Sequence, residues 1–390
     1  MPIVNRFAAL HDEIADWRQD IHQNPELLFD VHRTADTVAK KLAEFGVDEV
    51  VTGIGRTGVV GIIKGSNGGG GKVIGLRADM DALPIHEKTC KHYASNVEGK
   101  MHACGHDGHT AMLLGAAKYL AETRNFAGTV ALIFQPAEEG GGGGNEMVKD
   151  GMMERFAIEE VYGMHNYPGM PIGTFAIRPG ALMASADRIT IDIQGVGGHA
   201  AKPHKCVDPI LVGAHIVTAV QSIASRSVDP LESAVVSITM FQAGSTDNVI
   251  PHTAYLHGTV RTLKPEIRDQ VEKQLAHVVE STAATFGAKA KLTYERDYPV
   301  TVNDAEKARF AASIAEKIVG PDKVDANVTP VMGGEDFSFM LEARPGAFIF
   351  MGNGESRDLH HPEYDFNDEA IPFGCSYWVT LAETALPTGR

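Results

Sequence analysis

A run of six secondary-structure elements in the middle of the chain constrains its fold most strongly. The alternation of apolar and polar residues from Asp187 to Glu295 predicts a strand, a helix, two strands, a helix and a strand. This β-α-β-β-α-β order is typical of a ferredoxin-like α+β unit. On either side of the run, strands alternate with helices, as in layered α/β domains. We therefore predict an α/β protein with two domains. The larger is an α/β domain with a central mixed sheet, residues 1–184 and 297–390, and the smaller is an inserted ferredoxin-like α+β domain, residues 185–296.

The size and charge of the chain agree with two domains and narrow the choice of partners. Its 390 residues exceed the roughly 250–300 that one hydrophobic core usually serves. Its 50 acidic and 35 basic side chains give a formal charge of −15, which argues against nucleic acid or an anionic membrane as the main partner. The four cysteines form no Cys-x-x-Cys pair, and neither a signal-peptide core nor a long apolar run is seen. The expectation is a cytoplasmic protein with reduced thiols.

The densest group of reactive side chains lies in the segment His102–His109, which contains three histidines and one cysteine. Cys104 and His106 are two residues apart, so in an extended segment they project to the same side. A thiolate and an imidazole together suit zinc, cobalt, nickel or iron, and they also accept manganese. Asp107 is placed to cap a helix predicted from Gly108 to Thr123. A buried cysteine near surface histidines is the alternative interpretation.

A pair of glutamates, Glu138 and Glu139, follows an apolar strand predicted from Gly128 to Gln135. Burying two adjacent carboxylates is costly unless a cation is present. If one of them binds a metal, the other can act as a general base. The run Gly140–Gly144 lets the backbone approach closely, and we predict that it does not open a helix. Open α/β sheets place ligands after buried strands, although an isolated Glu-Glu pair is more often a solvated turn.

Sequence motifs of other enzyme classes are incomplete or absent in this chain. The nearest match to a phosphate-binding loop runs from Ser66 to Val73 and lacks both the first glycine and the final Ser or Thr. No Gly-x-Ser-x-Gly elbow and no His-Glu-x-x-His helix occurs. His165, His199 and the pair at 360 and 361 lie in segments of unusual composition, but each histidine taken alone is better explained as a partly buried structural residue than as a ligand.

Six short motifs occur along the chain. They are Arg77–Ile85 (RADMDALPI), Met101–His109 (MHACGHDGH), Gln135–Gly140 (QPAEEG), Gly197–Ala201 (GGHAA), Gly333–Phe337 (GGEDF) and Leu359–Pro362 (LHHP). Together and in this order they resemble the aminoacylase/carboxypeptidase-type dinuclear metallo-amidohydrolases. The most similar branch contains the hippurate hydrolases, N-acyl-L-amino-acid amidohydrolases and indoleacetyl-amino-acid hydrolases. The resemblance covers residues from about 15 to 370, nearly the whole chain.

The resemblance implies a catalytic α/β domain that holds two divalent metal ions and an inserted lid domain that usually also dimerises. A homodimer or higher homo-oligomer through the lid is therefore expected. Manganese is the expected metal, with zinc, cobalt or nickel as alternatives. By motif, the metal ligands would be Cys104, His106, Glu139, His165 and His360. Asp81 would orient a ligand from behind the metal site and raise the basicity of that ligand.

The resemblance also implies a mechanism. Metal coordination lowers the pKa of water toward about 7, Glu138 takes its proton as general base, and the hydroxide attacks the amide carbonyl. His199 is the candidate donor to the resulting oxyanion, in the site of its own subunit or of a partner. Asn248, Arg261 and Gly334 match the positions that bind the free carboxylate of the substrate, a task suited to arginine. For Arg261, a surface charge at the end of a strand is the alternative.

The expected function is metal-dependent hydrolysis of the amide bond of N-acyl or N-aroyl amino acids, with release of a carboxylic acid and a free amino acid. A dipeptidase or aminopeptidase that uses the same dinuclear site is the first alternative. A non-catalytic binding protein is the second, and the retention of Glu138 beside all five ligands argues against it. Benzoyl, indoleacetyl, acetyl and longer acyl groups all stay open. The expected partner is a small molecule, with no nucleic acid and no membrane.

Overall fold

The computed structural model describes residues 4–66 and 70–388. Its α-helices are α1 (Asn5–Gln23), α2 (His32–Glu44), α3 (His106–Thr123), α4 (Gly143–Lys149), α5 (Met152–Arg155), α6 (Pro209–Ala219), α7 (Pro265–Thr285), α8 (Ala305–Val319), α9 (Ser338–Ala343) and α10 (Ile371–Ala385). Its strands are β1 (Glu49–Ile54), β2 (Gly58–Lys64), β3 (Val73–Asp79), β4 (Thr129–Gln135), β5 (Glu160–Tyr167), β6 (Phe175–Ala176), β7 (Gly180–Met183), β8 (Ala186–Gln194), β9 (Gly198–His199), β10 (Ala234–Ala243), β11 (Val249–Ile250), β12 (Thr253–Thr262), β13 (Lys289–Tyr298), β14 (Thr301–Asn303), β15 (Val324–Asp325) and β16 (Gly346–Gly352). None of the helices in the described ranges combines the length and apolar character needed to cross a membrane.

The chain folds as two compact units. The first consists of Met1–Leu182, Val302–Thr329 and Asp336–Arg390, and the second of Met183–Thr301 and Pro330–Glu335. The predicted insertion, residues 185–296, falls inside the longer segment of the second unit. Residues 330–335, which the prediction left in the larger domain, belong to the second unit, where the backbone N–H of Ala184 donates to the carbonyl of Gly333 at 2.9 Å.

The first unit is built on an eight-stranded sheet with the order β1-β2-β4-β3-β5-β16-β6-β15. Its central strands β4, β3, β5 and β16 pair in parallel, whereas β1 with β2 and β2 with β4 pair antiparallel. The prediction of an α/β protein with a mixed sheet is therefore confirmed. Strand β4 and its neighbour β3 are buried along their whole length, as expected for central strands covered on both faces.

The parallel strands carry the motif residues to one edge of this sheet. Asp79, the last residue of β3, is paired in register with Gln135, the last residue of β4. His165 lies near the end of β5, the other neighbour of β3. Because parallel strands end at the same edge, the segments that follow them meet there, where open α/β sheets bind ligands.

The second unit has a four-stranded antiparallel sheet with the order β10-β12-β8-β13. Along β8, Ile189, Ile191 and Ile193 are buried and alternate with more exposed residues. These isoleucines belong to one apolar cluster with residues of α6 and α7, so the two helices cover one face of the sheet. The elements β8, α6, β10, β12, α7 and β13 follow one another in the β-α-β-β-α-β order.

Candidate metal centre

The loop before α3 brings Cys104 and His106 to the edge of the first unit's sheet. The prediction that the two residues lie in an extended segment is wrong. His106 is the first residue of α3, and Gly105 between them is left-handed, with φ 87°. A Cβ atom on Gly105 would lie 2.3 Å from Nδ2 of Asn166 and 2.5 Å from the hydroxyl of Tyr364. Only glycine fits this turn, and the turn points both side chains into the same region.

His165 presents one ring nitrogen to Cys104. Its Nδ1 lies 2.6 Å from the backbone carbonyl of Asn166, and because a carbonyl only accepts, Nδ1 carries the proton. Nε2 is then the unprotonated nitrogen, and it lies 3.4 Å from Sγ of Cys104. Burial, followed by the nearby charge of His109, keeps the pKa of His165 well below its usual value. A neutral imidazole held by its other nitrogen is the form that ligates metals.

Glu139 and His360 complete the group from two other loops. Oε1 of Glu139 lies 3.3 Å from Nε2 of His360 and 3.9 Å from Nε2 of His106. The backbone N–H of His360 donates to the carbonyl of Ala103 at 2.7 Å, which ties the loop of His360 to that of Cys104. The adjacent His361 turns away, with Nδ1 accepting from the backbone of Glu363 at 3.0 Å.

The structure brings the five predicted ligands together in overlapping groups. Donor atoms lie within 4.8 Å of one another in the sets Cys104–His106–His165, Cys104–Glu139–His360 and His106–Glu138–Glu139. Cys104, His106 and Glu139 are each shared by two of these sets, which suits two ions held by common ligands. Sulfur, nitrogen and oxygen donors in this combination fit a divalent transition metal.

Buried polar atoms without hydrogen-bond partners favour a cation at this group of candidate donors. Neither ring nitrogen of His106 has a hydrogen-bond partner in the part of the chain that the structure describes, and neither does Oε1 of Glu139. Buried groups of this kind are ordinarily satisfied, so the exceptions need an explanation. A metal ion would satisfy Oε1 of Glu139 and Nε2 of His106, which lie 3.9 Å apart, while Nδ1 of His106 faces Asp81 at 3.5 Å. The residues present therefore fit a divalent metal.

The pKa values of two candidate ligands also favour a bound cation at this site. Burial, then the charges of Glu139 and Glu138, raises the pKa of the Cys104 thiol well above its usual range. Burial alone would lower the pKa of His106, but the charges of Asp79 and Asp81 outweigh it and raise that pKa to about 10. Without a cation, both groups therefore hold their protons, and a bound ion would supply the missing positive charge.

Asp81 supports the loop that carries the two glutamates. Its carboxylate accepts from the backbone N–H of Glu138 at 2.9 Å and from that of Glu139 at 3.1 Å, and its Oδ1 lies 3.5 Å from Nδ1 of His106. Burial raises the pKa of Asp81. Glu138 is itself buried, and its Oε1 lies 3.4 Å from the backbone N–H of Asp336. Asp81 is thus placed to hold both glutamates and a histidine ligand.

Two buried residues of this network, Asn166 and Tyr364, are absent from the sequence-based predictions, which include His109 only as part of the segment His102–His109. Nδ1 of His109 lies 2.6 Å from Asp79, and Nε2 of His109 accepts from the backbone N–H of Asn166 at 3.0 Å, so both of its nitrogens are used. The side-chain amide of Asn166 donates to the carbonyl of Cys104 at 2.7 Å and accepts from the Tyr364 hydroxyl at 2.8 Å. The adjacency of Asn166 to His165 was the available signal for Asn166, and the histidine-rich segment His102–His109 was the available signal for His109.

Two local predictions near the site are wrong. Asp107 does not cap α3: Gly105 is the N-cap, and the Asp107 carboxylate instead faces Nδ1 of His22 at 2.8 Å. The glycine run does lead into a helix, since α4 begins at Gly143. For Asp107, the partner His22 lies 85 positions away in the chain, so no local pattern reports this contact.

The remaining predicted residues lie in the second unit, where they form two pairs. His199 pairs with Val249 in the β9–β11 ladder and is exposed, and the backbone N–H of Ala200 donates to the carbonyl of Asn248 at 3.0 Å. Arg261 is partly buried, and a Cβ atom on Gly334 would lie 3.0 Å from its Nη1. Burial lowers the pKa of Arg261.

Comparisons with known proteins agree over the whole chain. Over 382 residues the chain is 44% identical to hippurate hydrolase of Campylobacter jejuni, a match that covers 98% of this chain and 99% of that protein. It is 40% identical over 381 residues to N-acetylcysteine deacetylase of Bacillus subtilis, with coverage of 97% and 98%. A solved Bacillus subtilis structure, the YXEP protein, described as a dinuclear metal binding peptidase from M20 family, matches with a TM-score of 0.85 and 37% identity over 98% of this chain and 100% of that one.

A protein-family model also matches most of the chain. The model described as peptidase family M20/M25/M40 matches residues 75–384, which include every motif residue discussed above. On this match and on relatives of similar length and high identity, the chain belongs to the peptidase family M20/M25/M40.

Proposed function

We propose that the protein is a metal-dependent amidohydrolase that cleaves the amide bond of N-acyl or N-aroyl amino acids. The products are a carboxylic acid and a free amino acid. The observation that carries the proposal is the convergence of Cys104, His106, Glu139, His165 and His360 beside Glu138. Full-length similarity to a hippurate hydrolase and to an N-acetylcysteine deacetylase supports this substrate class, because both relatives are named for N-acylated amino acids.

The five converging side chains would hold two divalent ions. A bound divalent ion supplies positive charge that polarises an amide carbonyl and acidifies water. Manganese is the proposed metal, and zinc, cobalt and nickel are alternatives that the same donors accept. Cys104 must be a reduced thiol to serve as a ligand, which favours the reducing cytoplasm as the place of action.

Glu138 is the proposed general base. It takes a proton from the attacking water and delivers that proton to the amine nitrogen as the tetrahedral intermediate collapses, so the C–N bond breaks with release of a neutral amine. The Asp81 carboxylate keeps Glu138 in place through the backbone N–H bond described above. The backbone N–H of the adjacent Glu139 donates to the same carboxylate, so Asp81 fixes the proposed base and a proposed ligand together.

The second unit supplies the proposed substrate contacts. His199 is the candidate donor to the oxyanion, and Arg261 binds the free carboxylate of the amino-acid portion, with Asn248 and Gly334 as further polar contacts. Arg261 is suited to this role because it is partly buried, where a charged hydrogen bond is stronger than in water. We also propose a homodimer or higher oligomer formed through the second unit, where Met240 and Phe241 on the sheet-edge strand β10 are exposed.

The test combines elemental analysis with a substrate panel. Purified protein is assayed for bound metal and then for hydrolysis of N-benzoylglycine, N-acetylcysteine, indoleacetyl amino acids and unblocked dipeptides. We expect metal at two ions per chain and turnover confined to N-acylated compounds. Preferential cleavage of dipeptides would replace this function by that of a dipeptidase.

A single substitution tests whether Glu138 acts as the general base. Glu138→Gln keeps the size of the side chain and is expected to retain metal while kcat falls by a factor of about 10² or more. Glu363→Gln, an exposed carboxylate that pairs only with Arg357 among described contacts, is the matched control and should leave kcat unchanged. Unchanged turnover in Glu138→Gln would remove Glu138 from its role.

A further inference from the structure

One buried carboxylate, that of Asp336, receives hydrogen bonds from three separate parts of the first unit. Nε2 of Gln135 donates to its two oxygens at 2.7 and 2.9 Å, Nη2 of Arg77 donates at 3.0 Å, and the backbone N–H of Gly144 donates at 2.8 Å. The side chain of Asp336 is fully buried. A fully buried carboxylate with this many donors is held in one position.

Two of these donors flank the segment that carries the proposed base. Gln135 is the last residue of β4, and Gly144 lies in the first turn of α4. Between them, residues 136–143 contain Glu138 and Glu139. A single carboxylate therefore holds both ends of an eight-residue loop. Because the ends are fixed to one group, the loop between them has little freedom to shift.

The ends of this loop are also pressed together. A Cβ atom on Gly143 would lie 1.7 Å from the carbonyl oxygen of Pro136, so the two backbones meet where no side chain fits. The N–H of Gly143 donates to the carbonyl of Ala137 at 3.1 Å. Ala137 itself is left-handed, with φ 54°, a conformation that an L-residue keeps only when its surroundings impose it.

Arg77 and Gln135 close a ring with the carboxylate. Nε of Arg77 donates to Oε1 of Gln135 at 2.9 Å, while Nη2 of Arg77 and Nε2 of Gln135 both bind Asp336. Arg77 is fully buried and also binds Asp79 at 2.7 Å. The charge of Asp336 thus compensates part of a buried guanidinium, which makes the group hard to replace by a neutral one.

We infer that Asp336 is a positioning residue that fixes the loop 136–143, and through it the proposed base Glu138 and the proposed ligand Glu139. The inference rests on the proposed function for the role of Glu138, but not for the geometry of the loop. Direct contact adds to the clamp, since the backbone N–H of Asp336 faces Oε1 of Glu138 at 3.4 Å. In this interpretation, the Gly-Gly-Glu-Asp-Phe motif positions the loop 136–143, a role that its residue types alone do not indicate.

The experiment uses Asp336→Asn in the full-length protein, with two readouts. The affinity for Mn²⁺ is measured by competition with a metal indicator, and kcat and KM are measured on N-benzoylglycine. We expect the Mn²⁺ affinity to fall about 10–100-fold and kcat to fall by a comparable factor, with KM little changed, because outer-shell partners of ligands typically contribute this much. Ser338→Ala is the matched control: its buried hydroxyl has no partner among the described residues, and neither readout should change.

A reciprocal exchange separates positioning from a general loss of fold. In the double variant Gln135→Glu, Asp336→Asn, the amide and the carboxylate trade places across one hydrogen bond, and the negative charge stays beside Nε of Arg77. We expect this variant to recover about tenfold in both readouts relative to Asp336→Asn. Should Asp336→Asn fail to fold, Gln135→Met, which keeps the approximate volume and removes the hydrogen bonds that Gln135 makes with Asp336 and Arg77, is expected to shift both readouts in the same direction.

The outcomes distinguish the two proposals. Unchanged Mn²⁺ affinity and kcat in folded Asp336→Asn, or no recovery in the folded exchange variant, would overturn the positioning role. If the wild-type chain binds Mn²⁺ but hydrolyses no N-acyl amino acid, the proposed function fails. The affinity readout then still decides whether Asp336 fixes the loop of Glu139.

Discussion

Nδ1 of His22 on α1 lies 2.8 Å from Oδ2 of Asp107 in the first turn of α3, and both side chains are fully buried. Glu87 approaches the other ring nitrogen of His22 at 3.3 Å. Burial alone would lower the pKa of His22, but the charge of Asp107 and the bonds to Asp107 and Glu87 outweigh it and raise that pKa to about 9. A charged histidine therefore ties α1 to the residue next to a candidate metal ligand.

This contact makes stability depend on pH in a defined window. Because the pKa of His22 is about 9 in the folded chain and 6.5 ordinarily, its contribution is fully present below pH 6.5 and is lost as pH rises through about 9. We expect the free energy of unfolding of wild type to fall by roughly 3 kcal/mol more than that of His22→Gln across this window. Urea titrations of metal-free protein at several pH values measure the difference. His92→Gln, an exposed histidine, should retain the wild-type slope, and parallel slopes for His22→Gln would contradict the assignment.

Metal binding should release protons from the candidate ligands. In the metal-free chain the Cys104 thiol and the His106 imidazole both hold protons near neutral pH, for the reasons given above. An ion that binds to both must displace about two protons, so its affinity should rise steeply with pH. Calorimetric titration with Mn²⁺ in buffers of different ionisation enthalpy counts these protons. Cys104→Ala should release about one fewer, and an equal count in both proteins would argue against a thiolate ligand.

A single methyl group at Gly105 should disrupt the site. Gly105→Ala adds a Cβ atom 2.3 Å from Nδ2 of Asn166, in a left-handed turn between two candidate ligands. We expect a loss of more than about 2 kcal/mol in unfolding free energy and a weaker affinity for Mn²⁺. Gly99→Ala is the matched control, since Gly99 is also left-handed, at φ 75°, but a Cβ atom added there would have no neighbour within 4 Å in the described part of the chain. The control should lose only about 1 kcal/mol, and similar losses in the two variants would refute the crowding argument.

Arg261 should act on substrates that carry a free carboxylate. Arg261→Met removes a charged hydrogen bond of about 1.5–3 kcal/mol, so KM should rise roughly 10–100-fold for N-benzoylglycine. For the corresponding amide, N-benzoylglycinamide, KM should be nearly the same in both proteins. Arg188→Met, which breaks an exposed pair with Asp297, serves as the control and should leave both values unchanged. An equal effect on acid and amide would exclude carboxylate recognition by Arg261.

The sequence predicted the elements of the fold well because their apolar spacing is strong and local. Residue alternation predicts a strand from Thr253 to Thr262, and apolar spacing predicts a helix from Ala305 to Val319; β12 and α8 have these bounds. Asp304 accepts from two backbone N–H groups at the start of α8, a capping signal that lies within the sequence itself. Apolar spacing also predicts a helix from about Pro209 to Arg226, but α6 ends at Ala219 and is followed by a π-helical turn at Ile223–Ser227.

The candidate site was predictable only as far as its residue types are chemically distinctive. A cysteine between histidines, or two adjacent glutamates after a buried strand, stands out from its surroundings. Asn166 and Tyr364 do not, because an asparagine and a tyrosine are ordinary residues until a fold places them behind a metal ligand. Asp107 misled for the same reason: an aspartate before a helix usually caps it, and only the position of α1 turns it toward His22.

The candidate donors are drawn from positions as far apart as Cys104 and His360. The chain between them includes all of Met183–Thr301, which folds into the other unit. During synthesis, all of Met183–Thr301 is therefore made before the last candidate donor. An ion can therefore meet its complete set of candidate partners only after the chain has been synthesised through His360.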